Sequence, residues 1–337
     1  MEKYKELKIG IIGCGYWGTN IVATLEQLKI KNIFISDASN SKLKLMKKKF
    51  PFVKDVKNLN ALIEKNLDCY FLVTPANTHY KIALELLKKK KDVFVEKPVT
   101  LKSQNLEKLI SIAKKNKNIL MSGYIYNHNN YINYIKKTLE RKILGNIKYI
   151  YFERCNLGPI RNDASCIWDL ASHDISTSIY LLNKLPNTVK SEKFDFLKKN
   201  KFDISTINLN FNNIHVEIKS SWLYPEKTRK LIIIGEKKML QFDEISSKNK
   251  IKIYNKFATY YPNIVSKYSK KFFSPNAKIK VGKTFEPKIN FFPPLKKEVI
   301  HFLECVKKRK KPLTDGNHAL KISKIIEKIE KVKPRLN

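Results

Sequence analysis

Acidic residues, cysteine, histidine and long apolar runs are all scarce in this chain, and each scarcity removes a class of function. Only 30 of 337 residues are Asp or Glu, against 67 Lys or Arg; there are five Cys and six His. Cys14, Cys69, Cys155, Cys166 and Cys305 form no CxxC pair and no Cys/His spacing of a zinc site, so no metal is expected. Their odd number and wide spacing read as free thiols of a reducing, cytoplasmic protein rather than a disulfide framework. Nowhere do about eighteen apolar residues run together, which excludes a membrane-spanning helix. The opening MEKYKELKIGIIGCGYWG leads straight into a glycine turn, too soon for a signal peptide. Repeats of about 20–50 residues, the mark of a solenoid, are absent.

What is abundant is lysine. The net charge of +37 invites a nucleic-acid or acidic-membrane partner. Yet lysine is spread along the whole chain, and its densest runs, 88–91 and 307–311, fall at a helix end and in a turn. A helix C-terminus favours cations through its dipole. Aromatic and basic residues do not alternate as they do where bases stack. Nucleic acid is therefore not the expected partner, and attraction for an anionic substrate such as a nucleotide sugar explains the charge better.

The length suits two domains, and the 43% apolar content suits folded ones. Over residues 1–122, short apolar runs (8–13, 32–36, 68–73, 92–95, 118–122) alternate with helical spacing (16–28, 78–87, 101–113). That pattern predicts βαβ units and a doubly wound parallel sheet. From 123 to 337 the order changes. A helix at 130–144, a long strand at 147–155 and a helix near 173–182 precede strands at 203–211, 214–222, 230–234, 239–242 and 250–254. Asn212-Asn213 reads as a hairpin turn between the first two of these. Strands in succession predict an α+β domain with a mostly antiparallel open sheet. Residues 255–292 carry no clear pattern, and helices follow at 295–306 and 316–329.

Gly13-Cys14-Gly15-Tyr16-Trp17-Gly18 is a GxGxxG that follows a buried strand and opens a helix, which is the dinucleotide-binding context. The three glycines serve the tight turn, the backbone approach to a pyrophosphate and the close helix–strand contact; the helix N-terminus faces the phosphates. Asp37 ends the second strand about twenty positions on. A carboxylate there accepts ribose hydroxyls and repels a 2′-phosphate, so NAD is expected over NADP. Thr74, Pro75, Asn77 and His79 follow another strand end and line the same crevice, with Asn77 or Thr78 also suited to cap a helix. His79 reads as structural rather than catalytic. Glu96-Lys97-Pro98 ends a further strand. Near a cationic nicotinamide ring a lysine can lose its proton more easily and transfer it, or hold a substrate hydroxyl. Composition alone would make Lys97 one more surface lysine.

IGIIGCGYWGTN at 9–20, TPANTHY at 74–80, VFVEKPVT at 93–100, WDLASHDIS at 168–176 and the closing 295–321 together resemble the glucose–fructose oxidoreductase/inositol dehydrogenase (Gfo/Idh/MocA) family over almost the full chain. The resemblance implies a nucleotide-binding domain, a second domain whose open sheet makes homo-oligomers, and hydride transfer between NAD and a carbinol carbon of a sugar or polyol. It implies that Lys97 is the family lysine, with a cis Lys97–Pro98 bond. It also implies that Asp169 and His173 are the D-x-x-x-H pair, His173 taking the hydroxyl proton. Their four-residue spacing sets both on one face of a helix, and an unperturbed histidine titrates near neutrality. GYWG and the stretch 156–161 look like a branch acting on sugars of bacterial surface polysaccharides. Arg154, Asn156 and Arg161 are then candidates for a phosphate or carboxylate, and Tyr124 for the substrate where many relatives carry His. A non-catalytic sugar- or NAD-binding regulator and a free-sugar or inositol dehydrogenase are the alternatives.

Overall fold

The computed structural model describes residues 4–260 and 277–331. Contacts divide the chain into two units, Met1–Asn129 with Phe292–Glu327, and Asn130–Phe291 with Lys328–Asn337. The single cut after residue 122 expected from the sequence is thus replaced by a first unit that runs to Asn129 and regains the chain near its end. The reason is apolar burial. The helix Pro294–Lys308 contributes Val299, Phe302, Leu303, Cys305 and Val306 to the same core as the first strands. Phe302 lies 5.0 Å from Phe71 and 5.8 Å from Phe94, ring to ring.

The first unit is a Rossmann sheet. Its strands are β1 (Ile9–Ile12), β2 (Ile33–Ser36), β3 (Lys54–Asp55), β4 (Cys69–Leu72), β5 (Val93–Val95) and β6 (Leu120–Ser122). They lie in the order β3-β2-β1-β4-β5-β6, all parallel. Helices α1 (Tyr16–Gln27), α2 (Asn40–Lys49), α3 (Leu59–Glu64), α4 (Ala76–Lys88) and α5 (Ser103–Asn116) make the connections. Every residue of β1 and β4 is buried, as strands covered on both faces must be. The winding reverses between β1 and β4, and loops at the carboxyl ends of strands beside such a reversal form a ligand crevice.

The second unit opens with α6 (Asn130–Glu140) and β7 (Ile147–Cys155), followed by a π turn at Ile167–Ala171 and α7 (Ser172–Leu182). Then come β8 (Thr188–Phe194), β9 (Ile204–Phe211), β10 (Ile214–Ser221), β11 (Thr228–Gly235), β12 (Met239–Asp243), β13 (Ile251–Tyr260) and β14 (Ala277–Phe285). The sheet order is β14-β13-β12-β11-β7-β10-β9-β8, and every pairing is antiparallel except β7 with β10. The mostly antiparallel sheet is as expected, and so is the hairpin at Asn212, whose φ is +58°. Alternation buries Ile150, Phe152, Ile207, Leu209, Val216 and Ile218 on one face. The patternless stretch 255–292 holds the end of β13 and all of β14; its residues 261–276 lie outside the described residues. Helix α8 is the segment Pro294–Lys308, and α9 (Gly316–Lys331) closes the chain.

Candidate cofactor and catalytic sites

The glycine turn has the shape the sequence demanded. Gly13 has φ +106°, and a Cβ there would meet the Val73 carbonyl at 2.8 Å. A Cβ on Gly18 would stand 2.0 Å from the Gly13 carbonyl oxygen, so α1 reaches its place beside β1 only with glycine at that position. A Cβ on Gly15 would meet nothing within 4 Å. The second glycine of the motif therefore opens onto free space at the start of α1, where no side chain caps the helix and no acidic residue occupies its first turn. That combination is a cradle for a pyrophosphate, and the residues present fit NAD. Tyr16 is exposed at this helix start, with its ring edge-on to Trp17 at 5.5 Å.

Asp37 braces the turn. Its Oδ2 accepts the Cys14 backbone N–H at 2.7 Å, and its Oδ1 accepts that of Ser39 at 2.8 Å. A carboxylate has about four acceptor positions, so two backbone bonds leave room for ribose hydroxyls. Burial, reinforced by the Asp37 charge, pushes the Cys14 thiol up to about 12.

At the end of β4, helix α4 begins at Ala76 with Pro75 as its cap, so neither Asn77 nor Thr78 is the cap that the sequence suggested. Thr78 instead bonds back through its hydroxyl to Thr74 Oγ1 at 2.6 Å and the Pro75 carbonyl at 2.7 Å. His79 is buried, with Nδ1 2.9 Å from the Pro98 carbonyl and Nε2 2.7 Å from that of Thr74. It clamps the loops after β4 and β5 together.

Glu96 and Lys97, at the end of β5, are both buried; among the described lysines Lys97 shares this only with Lys193. The Lys97–Pro98 bond is cis. The Lys97 N–H donates to Glu96 Oε2 at 2.9 Å. The Glu96 carboxylate lies against Gly123, where a Cβ would come within 3.0 Å of its Cδ. Tyr124 is fully buried, edge-on to His318 at 5.6 Å. Burial, with Glu96 adding to it, holds its phenol well above the usual range. The Gly123 cradle had no signature in the sequence beyond glycine itself.

In the second unit, Asp169 lies on the π turn and His173 in the first turn of α7. The pair straddles a change of helical period, so an even α-helical face does not carry both; π turns of this kind recur at functional sites. Asp169 is held at both oxygens. Oδ1 accepts from Arg161 Nη1 at 3.3 Å and Oδ2 from the buried Trp222 Nε1 at 3.2 Å. Arg161 also grips Asp163 through Nε (2.9 Å) and Nη2 (2.7 Å), and these carboxylates raise its already high pKa. Trp222 escaped the sequence reading because nothing local couples it to a residue 53 positions away.

The three polar candidates of this unit separate. Arg161 is about a third exposed. Arg154 is buried in an ion pair with Asp174, Nε to Oδ2 2.9 Å and Nη2 to Oδ1 2.8 Å, so its fork is committed inside the protein. Asn156 accepts from Arg229 Nη2 at 2.6 Å and donates to the Gly158 carbonyl.

Residues 7–124 match the family model of the Gfo/Idh/MocA "Oxidoreductase family, NAD-binding Rossmann fold". Over these residues the chain is similar to the NAD-binding domain of that family. The chain is similar to the myo-inositol 2-dehydrogenase of Thermotoga maritima, with 27% identity over 53% of this chain and 55% of that protein. It thus spans about half the length of that relative. The UDP-N-acetylglucosamine 3-dehydrogenase of Acidithiobacillus ferrooxidans is 25% identical over 77% of this chain and 80% of its own. A solved structure of that enzyme superposes with a TM-score of 0.76 at 20% identity over 96% of each chain. The structure of GenD2 from gentamicin A biosynthesis, in complex with NAD, gives 0.76 at 15% identity over 96% of this chain and 93% of that one. At these identities the structures establish the fold. Among the described residues, no helix is long and apolar enough to cross a membrane.

Proposed function

We propose that the protein is an NAD-dependent dehydrogenase that oxidises a secondary alcohol of a nucleotide-linked sugar. The observation that carries the proposal is the buried Lys97 at the end of β5 in an NAD-binding domain. Asp169 and His173 in the second unit supply the acid–base groups that such a reaction also needs. One relative that aligns over most of both chains is a UDP-N-acetylglucosamine 3-dehydrogenase, and the strongly basic chain suits a diphosphate substrate.

Gly13, Gly15 and Gly18 with Asp37 would hold NAD, and NAD supplies the hydride acceptor when bound. His173 takes the proton of the sugar hydroxyl, as a general base must for the carbonyl to form. Asp169, fixed by Arg161 and Trp222, orients the sugar or the imidazole. Lys97 donates to the reacting oxygen and steadies the charge that develops on it. Arg161, the most accessible of the second unit's arginine candidates, is the group for a substrate phosphate or carboxylate; the buried Arg154 supports the scaffold. The open face of the eight-stranded sheet is the surface proposed for self-association.

The test is NADH formation with purified protein over a panel of UDP- and dTDP-linked sugars, with myo-inositol and free sugars alongside. Turnover confined to a nucleotide sugar supports the proposal. Turnover on inositol alone replaces the substrate class. NAD binding without turnover on any of them returns the chain to the regulator reading.

A further inference from the structure

Glu330 is a carboxylate that the reaction above does not use. It stands one residue before the end of α9, where the helix dipole disfavours a negative charge. Lys193 offsets that charge. Its Nζ, reaching inward from β8, donates to the Ile329 carbonyl at 2.6 Å and to that of Glu330 at 2.9 Å. The same Nζ lies 4.4 Å from the centre of the Phe202 ring. The end of α9 is thereby fixed, and with it the backbone that carries the Glu330 side chain.

Both Glu330 oxygens bind the segment that forms the π turn. Oε1 accepts the Ser165 hydroxyl at 3.0 Å, and Oε2 accepts the Trp168 indole N–H at 3.1 Å. Both donors belong to buried residues, and a charged acceptor strengthens each bond. The Ser165 carbonyl in turn accepts the Asp169 N–H at 3.0 Å, and Trp168 is the chain neighbour of Asp169. The Trp168 carbonyl takes the Ser172 hydroxyl at 2.7 Å, and the Cys166 N–H donates to the Phe202 carbonyl at 2.9 Å. One carboxylate thus holds the two residues from which the Asp169 backbone hangs. Arg161 and Trp222 act on the Asp169 carboxylate, whereas Glu330 acts on its main chain.

We propose that Glu330 is a positioning residue for Asp169: a carboxylate at the end of α9, steadied by Lys193, that fixes the π turn through Ser165 and Trp168. The inference deepens the dehydrogenase reading and rests on it for the role of Asp169. Displacing a group by about 1 Å can cost on the order of 10²-fold in rate, which is the scale of loss such a brace prevents.

The three tryptophans report on Glu330 without turnover. The Trp168 indole N–H sits on Glu330 and that of Trp222 on Asp169, while Trp17 lies in the first unit and serves as a control. Glu330→Gln keeps the side-chain length but leaves one acceptor oxygen for two donors. In this variant the indole N–H resonances of Trp168 and Trp222, assigned with Trp168→Phe and Trp222→Phe, should both move, and that of Trp17 should stay in place. A stationary Trp222 resonance would show that Glu330 does not act on Asp169 and would overturn the proposal. Ser165→Ala and Trp168→Phe each remove one donor and keep the carboxylate, so they decide the matter should Glu330→Gln fail to fold. Each should displace the Trp222 resonance, and a stationary one in both would overturn the proposal. In turnover, Glu330→Gln should lower kcat on the order of tenfold with unchanged NAD affinity. Adding Trp168→Phe to it should lower kcat by less than about a further twofold, because the two side chains act as one unit. Losses that multiply would also overturn the proposal. Absence of turnover in the wild-type protein would count against the dehydrogenase reading alone, since the Trp222 resonance remains decisive for Glu330.

Discussion

At the scale of single residues, this chain shows how little a residue type says without its surroundings. Lysine is the commonest charge here, and Lys97 gains significance only because it is buried at a strand end. A Lys97→Ala or His173→Ala variant should still bind NAD and lose turnover by about 10²–10⁴-fold, the usual contribution of a positioned acid or base. Steady-state rates with cofactor titrations check this, and unchanged turnover in both would end the mechanism. Arginines follow the same logic with opposite outcomes. Arg154→Ala strands the buried Asp174 carboxylate and should cost about 3–5 kcal/mol of stability. Arg161→Ala removes a partly exposed group and should cost under about 1 kcal/mol, but it takes one partner from Asp169 and should depress kcat/KM. Denaturant unfolding beside kinetics separates the two. An Arg154→Ala protein of normal stability would contradict the scaffold role.

At the scale of elements, legibility tracks apolar period. The strands β1, β4 and β7 and the hairpin at Asn212 are plain in the sequence because their inward positions are apolar and the turn chemistry is local. Helix α2 is not, since among its ten residues only Met46 is buried. Strand β8 is hidden for a different reason. Its one fully inward side chain is Lys193, whose Nζ donates to the carbonyls of Ile329 (2.6 Å) and Glu330 (2.9 Å) at the end of α9. A buried lysine capping a helix C-terminus reads, in sequence, as one more polar residue. The cofactor turn was the most legible piece of the site because its glycines and Asp37 are near neighbours in sequence or one βα unit apart. The Asp169–Trp222 and Glu96–Gly123 contacts depend on tertiary packing and carry no period.

The glycine turn yields a prediction at this same scale. Gly18→Ala would drive a methyl group into the Gly13 carbonyl and should cost about 1–3 kcal/mol while abolishing NAD binding. Gly15→Ala meets only open space; it should change stability by less than about 0.5 kcal/mol and weaken NAD, because the methyl enters the pyrophosphate's place. Paired melting curves and NAD titrations decide it. A Gly15→Ala protein that binds NAD normally would move the cofactor elsewhere.

For the whole molecule, the buried titratable groups of the first unit link stability to pH in two opposing directions. Burial depresses His128 to about 3 and His318 to about 4, from an ordinary 6.5. Below pH 6.5 the unfolded chain takes up protons that these folded imidazoles refuse, so stability present above 6.5 is lost as pH falls. His301 is shifted the same way. Glu298 acts in reverse. Its folded pKa is raised well above 4.5, so the unfolded chain releases a proton that the folded one keeps, and stability declines as pH rises above 4.5. Between pH 5 and 6 the histidines outnumber the carboxyl, and the wild-type protein should lose stability on acidification. Glu298→Gln removes the opposing group. Its stability should therefore fall more steeply with acid, by about 1.4 kcal/mol per pH unit for the one proton. Above pH 7, where the histidines are neutral in both states, wild type should lose stability relative to the variant as pH rises. Unfolding free energies of both proteins from pH 5 to 8 test the point. Parallel curves would mean that Glu298 is ionised in the fold.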